Sequence, residues 1–159
     1  MQAQPRLAPD LLAMVDKGVS VIVASRDAAG RPSLMRAVGS RIDPDGRALS
    51  VYLARRQSRQ LLQDLATTGH VAVVFSEPSS HRSVQLKARH VHLRPVEADD
   101  RVVLQRYLAS MEHELALIGI SPPLTRAMLA HDFDDVVAVS FEPTQAYEQT
   151  PGPRAGTML

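Results

Sequence analysis

From Val19 to Asp27 the chain reads VSVIVASRD, rich in β-branched residues, and stops at AAGRP, a hairpin signal. Ahead of this strand, Asp10 is placed to cap a short helix whose Leu11, Leu12 and Val15 share a face until Gly18 ends it. Residues 33–43 predict a second strand, DPDG a turn, and residues 47–54 a third strand. Ser58 then stands at the N-cap of a helix with an apolar stripe of Leu61, Leu62 and Leu65. HVAVVF (70–75) is apolar almost throughout, which predicts a strand covered on both faces. After the turn SEPSS, residues 82–93 predict a long strand with an irregularity. Val84, Leu86 and Ala88 share one parity while Val91 and Leu93 have the other, so a bulge or sharp bend is expected near Ala88–His90.

Residues 97–118 predict a helix: Asp99 and Asp100 suit its positive end, and Leu104, Leu108, Met111, Leu115 and Ile118 line one side. SPPL breaks it, a short helix follows to about His131, and DVVAVSFEPTQAYE is the last strand. The tail QTPGPRAGTML (149–159) is rich in Pro and Gly and predicts no regular structure. Six strands with interspersed helices and short turns indicate an α+β fold around a six-stranded antiparallel barrel. A length of 159 residues suits one domain spanning 1–159.

Composition narrows the function classes. An apolar fraction of 45% and a charged fraction of 22% are those of a globular protein. The net charge of +1 argues against a nucleic-acid partner, because the basic residues are balanced elsewhere in the chain. With no cysteine there is no disulfide, thiol nucleophile or thiolate metal site, which fits a cytoplasmic location. The first residues carry no signal-peptide pattern, and no stretch approaches the roughly 20 apolar residues that span a bilayer, so no membrane is expected.

Against this balance, residues 31–62 are unusual. Seven arginines (31, 36, 41, 47, 55, 56 and 59) occupy a segment that otherwise wants to pack. Arg36 and Arg41 have opposite parity in one strand, unless a bulge at Gly39 turns them to the same site. Either they lie on a solvated face or they meet an anion. Ser58 followed by Arg59 at a helix start combines a hydroxyl, free backbone N–H groups and a guanidinium, a set that recognises phosphate; helix capping alone also explains Ser58. His90 and His92 form an H-x-H without a nearby third ligand, so no metal site is expected. No serine-hydrolase, zincin or P-loop motif occurs, and no residue stands out as a general acid or base.

The order of elements and these motifs together resemble the pyridoxamine 5′-phosphate oxidase-like family, the FMN-binding split barrels, from about Leu11 to Leu93. RAVGSR (36–41) stands where that family has R-x-V-x-x-K, which implies cofactor contacts from Arg36, Ala37, Val38 and Arg41. YLARRQSRQ (52–60) stands where it has Y-T…S-R-K, implying contacts from Tyr52, Leu53, Ser58, Arg59 and Gln60, with Gln60 in place of a phosphate-binding lysine. RSV (82–84) replaces R-Q-V, so Arg82, the short Ser83 and Lys87 would approach the ring or the opposite subunit. Ala88 replaces the usual glycine at the expected bend, and the tryptophan of the pyridoxine-phosphate oxidases is missing. The tail could fold over a neighbouring subunit's pocket with Arg154 as an anion contact, or it could fray.

The resemblance implies a homodimeric split barrel binding FMN at the subunit interface and oxidising or reducing a small-molecule substrate. The rival from another class is a non-catalytic module holding a flavin, the deazaflavin F420 or haem, with His90 or His92 relevant only to haem.

Overall fold

In the computed structural model, which describes residues 5–159, nine strands form two antiparallel sheets. The first four residues of the expected 1–159 domain lie outside the described residues. In chain order the strands are β1 (Ser20–Arg26), β2 (Pro32–Arg36), β3 (Gly39–Ile42), β4 (Leu49–Ala54), β5 (Val71–Ser76), β6 (Ser83–Ala88), β7 (His92–Pro95), β8 (Val136–Phe141) and β9 (Gln145–Glu148). Four helices accompany them: α1 (Pro9–Lys17), α2 (Arg59–Thr68), α3 (Asp100–Ala116) and α4 (Pro122–Met128). One sheet has the order β2-β1-β5-β6-β9 and the other β3-β4-β8-β7.

The six strands expected of the split barrel are nine in the structure, shared between two antiparallel sheets, and the reason is local. Three of the six expected strands each divide, and each divided strand serves both sheets. Ala37 donates its N–H to the Val21 carbonyl in one sheet (3.0 Å), while Val38 donates to Tyr52 in the other (2.8 Å). The 33–43 strand therefore becomes β2 and β3. The parity fault at Ala88–His90 is a full break, with β6 in the five-stranded sheet and β7 in the four-stranded one. The last strand is cut between Phe141 and Gln145 around Pro143, which has no N–H to give a ladder.

The core lies between the sheets and helices. Val21, Val23, Val73, Phe75, Val84 and Leu86 point inward from the five-stranded sheet, meeting Val51, Leu53, Val137 and Val139 from the other. On α3 the core-facing side chains are Leu104, Tyr107, Met111 and Leu115, and Asp100 and Glu114 are buried as well; Leu108 is half-buried, and Ile118 lies exposed in the turn beyond the helix. Gly39 is not a bulge. It opens β3 directly opposite Tyr52, and a Cβ there would sit 2.6 Å from Leu104 Cδ2, so its role is to admit α3. β5 also departs from expectation: its burial alternates, with Ala72 and Val74 half-exposed on the outer face.

Asp100 does more than punctuate a helix. Its buried carboxylate accepts hydrogen bonds from Tyr52 Oη (2.7 Å), from both terminal nitrogens of Arg94 (2.7 and 2.9 Å) and from the Glu97 N–H (2.7 Å). This joins the start of α3 to β4 and β7. The tail is likewise better ordered than its composition predicts. Residues 149–159 form no named strand, but they turn back on β9 through Gly156 N–H to Glu148, Glu148 N–H to Thr157 and Leu159 N–H to Ala146. Met158 bridges to Tyr147.

Gly69 ends α2 at φ +70°, and a Cβ there would lie 2.7 Å from the Arg89 carbonyl oxygen. Gly69→Ala is therefore expected to cost about 2 kcal/mol or more, from the left-handed backbone together with the clash. Gly46→Ala, at φ +71° with open space around it, should cost about 1 kcal/mol, from the backbone alone. Urea unfolding of both variants checks the difference.

Candidate functional site: the Ser58 helix start and the arginine segment

β4 is buried along its whole length because it is central in its sheet, and it delivers the chain into a 3₁₀ turn at Arg55–Gln57. Ser58 follows at φ −117°, ψ 21°, and its carbonyl accepts the Leu62 N–H at 2.8 Å, which starts α2. Its hydroxyl does not cap the helix, contrary to expectation: it is buried and has no hydrogen-bond partner. An unpaired buried hydroxyl costs roughly 1–3 kcal/mol, a state that Ser58 shares with Ser40 Oγ, Arg41 Nε and Tyr107 Oη. The first N–H groups of any helix have no intrahelical partner, and the helix dipole makes this end positive. Arg59 is the first residue of α2 and is exposed, and among the described residues no carboxylate pairs with it.

The remaining candidates divide into free and engaged groups. Arg36 ends β2 opposite Ile22 and donates to Ser20 Oγ at 3.2 Å. Ala37 and Val38 are buried at the crossing between sheets. Tyr52 and Leu53 are fully buried, with the Tyr52 hydroxyl held by Asp100; desolvation and that carboxylate raise its pKa. Gln60 donates to Asp64 Oδ1 (2.9 Å), and Asp64 also accepts from Ser33 Oγ (2.6 Å), tying α2 to β2. Arg82 is ion-paired with Asp10 at 2.5 Å, which holds the Asp10 carboxyl below its usual range. The Ser83 hydroxyl is shared between Ser76 Oγ (2.7 Å) and the His81 carbonyl (3.0 Å). Arg56 pairs with Asp135, whereas Arg55 is exposed.

Arg41 goes elsewhere. It sits in β3 opposite Ser50, its Nη2 lies 3.6 Å from Asp43, and its buried Nε has no partner. The cleft it lines, about 300 Å³, is completed by Asp16, Val102, Val103 and Arg106 from α1 and α3, with nothing from α2. With no bulge at Gly39, the expected meeting of Arg41 with Arg36 does not occur through that device.

A larger cavity, about 420 Å³, opens at the β1–β2 hairpin end of the outer face of the five-stranded sheet. Lys87 is the only expected site residue there; Arg26, His70, Arg89, Thr144 and Gln145 join it. Nothing in their sequence spacing marked them, because they come from four separate segments.

No sequence-family profile matches the chain, and no curated protein matches it. Known structures do. An F420 reductase aligns at 18% identity over 89% of this chain and 97% of its own, with a TM-score of 0.58. HupZ of Group A Streptococcus aligns at 11% identity over 95% and 100%, TM-score 0.56. A pyridoxamine 5′-phosphate oxidase-related, FMN-binding protein of Nostoc punctiforme aligns at 12% over 94% and 89%, TM-score 0.53. At such identities the likeness is one of fold, and it runs nearly the full length of both partners. The chain has the fold of the pyridoxamine 5′-phosphate oxidase-like split-barrel proteins.

Proposed function

We propose that this protein is a homodimeric flavoprotein that binds FMN and oxidises or reduces a small molecule. The observation that carries this reading is the buried, unpartnered Ser58 hydroxyl beside the unpaired Arg59 at the start of α2. That combination suits a phosphate, and it stands on the segment where the resembled family holds one. Ser58 would donate to a phosphate oxygen, and Arg59 would add charge to the positive helix end. Arg36, at the end of β2, would supply a further guanidinium. Bound FMN supplies hydride or electron transfer; the chain supplies position, charge and exclusion of water. The Nostoc neighbour binds FMN and another neighbour is an F420 reductase, so a flavin-type ligand suits this fold.

The dimer is argued from the outer face of the five-stranded sheet. Ile22 of β1 and Val74 of β5 are apolar and half-exposed in the middle of the sheet, and Leu34 of β2 is 63% exposed. A second copy of the chain would cover this apolar patch.

An absorbance spectrum of the purified protein, supplemented with FMN where it emerges colourless, tests the proposal. Flavin bands that remain after desalting are expected, along with a light-scattering mass of about twice that of the chain. A Soret band would favour the haem-binding module, and a spectrum without either band after reconstitution would overturn the flavin reading.

A further inference from the structure

The 420 Å³ cavity at the hairpin end of the five-stranded sheet has the charge and build of a second ligand site. Its floor follows from register. Ala24 lies opposite Ala72, Ala72 opposite Lys87 and Lys87 opposite Gln145, so small side chains on two central strands leave a hollow between longer neighbours. Arg26 ends β1, His70 precedes β5 and Arg89 follows β6, which places two guanidiniums and an imidazole around the rim. Lys87 rises from the floor with its Nζ 5.0 Å from the centroid of the Tyr147 ring, an interaction that orients the ammonium without neutralising it.

The rim is held in place. Ser25 Oγ donates to the His70 carbonyl (2.6 Å), and Thr68 Oγ1 to the Arg26 carbonyl (3.2 Å). Thr144 donates its N–H to the Lys87 carbonyl at 2.8 Å. Gly69 lets the turn before β5 lie directly against the Arg89 backbone, since any Cβ would meet the Arg89 oxygen.

The charge is not balanced locally. Among the described residues no carboxylate lines the cavity. The ion pairs among the described residues engage Lys17, Arg31, Arg41, Arg56, Arg82, Arg94, Arg106 and Arg126, but none involves Arg26, Lys87 or Arg89. In a chain of net charge +1, three unpaired cations around one hollow form a focused positive field that an anion would relieve. We propose that this cavity binds a compact dianion, a phosphate monoester or a dicarboxylate, whose small apolar body rests on Ala24 and Ala72. Its volume is at the lower end of the range for small-molecule sites and suits such a ligand. This inference does not rest on the flavin reading: of the expected cofactor residues the cavity takes Lys87 alone, and it shares none with the Ser58–Arg59 helix start.

Calorimetric titration of the purified protein with phenyl phosphate, phthalate, benzoate and phenol tests it. Saturable binding of the dianions is expected, at least about tenfold tighter than that of benzoate, with none for phenol. The tighter of phenyl phosphate and phthalate names the source of the dianion. Arg26 and Arg89 are exposed, so their replacement leaves the core intact. Arg26→Ser/Arg89→Ser should weaken the dianions about tenfold or more, whereas Arg59→Ala should leave them unchanged. Absence of saturable binding overturns the proposal. So does dianion binding that survives Arg26→Ser/Arg89→Ser but is lost in Arg59→Ala, because the ligand would then be in the helix-start site. A flavin-free spectrum, the failure of the earlier reading, would leave this titration and its outcome untouched.

Discussion

Arg94→Met is expected to lower the stability of the protein by about 3 kcal/mol, the lower end of the range for breaking one side of a buried ion pair. The Asp100 carboxylate it abandons is almost fully enclosed, while the Arg94 side chain is 25% exposed, so water replaces part of what is lost. Arg94→Lys should recover only a fraction, because an ammonium cannot make the two parallel bonds that Nη1 and Nη2 give Asp100. Replacing both partners, Arg94→Met with Asp100→Leu, should be milder than Arg94→Met alone, since no charge is left stranded. Arg94, through its hydrogen bonds, holds the Asp100 carboxyl well below the usual carboxylate range against the opposing effect of burial. A lowered folded-state pKa contributes stability that is complete above the unfolded value near pH 4 and is lost as pH falls through the folded value. The wild type should therefore lose stability steeply only below about pH 4, and Arg94→Met should lose less over the same interval. Urea midpoints at neutral and acid pH decide this; equal midpoints for wild type and Arg94→Met at neutral pH would mean that the network does not hold α3 to the sheets.

Arg59→Ala is expected to weaken FMN roughly ten- to a hundredfold while weakening riboflavin, which lacks the phosphate, much less. The guanidinium stands at the positive end of a ten-residue helix and is in none of the ion pairs among the described residues, so a phosphate would gain both its charge and the dipole. Ser58→Ala should show the same selectivity with a smaller loss. It should also stabilise the free protein or leave it unchanged, because it removes a buried hydroxyl that has no partner. Arg55→Ala and Arg56→Ala should do little in either titration, as both side chains are exposed and Arg56 is turned toward Asp135. Equal losses of FMN and riboflavin in Arg59→Ala would remove the phosphate assignment.

The strands were legible because their β-branched runs and turn residues are local signals, and the parity fault at Ala88–His90 located a real crossing between sheets. The crossings at Ala37–Val38 and Pro143 were not read as breaks. At the first, no turn residue or proline marks the break, and only the change of hydrogen-bond partner from Val21 to Tyr52 divides the strand. Asp100 illustrates a different limit. An acidic residue at a helix start is ordinary in sequence, and only the meeting of β4, β7 and α3 turns it into a buried ion-pair acceptor. At the candidate site, the Ser-Arg pair was visible as a motif, but the burial of the Ser58 hydroxyl was not. The basic cavity was illegible because Arg26, His70, Lys87 and Arg89 lie in segments up to 63 residues apart that only the sheet register brings together.

The most direct measurement is a titration of the apoprotein with FMN and with riboflavin under identical conditions, followed by flavin fluorescence. A phosphate cradle at Ser58 and Arg59 predicts saturable binding of FMN at least about tenfold tighter than riboflavin. Equal affinity for the two, or no binding of either, would contradict it.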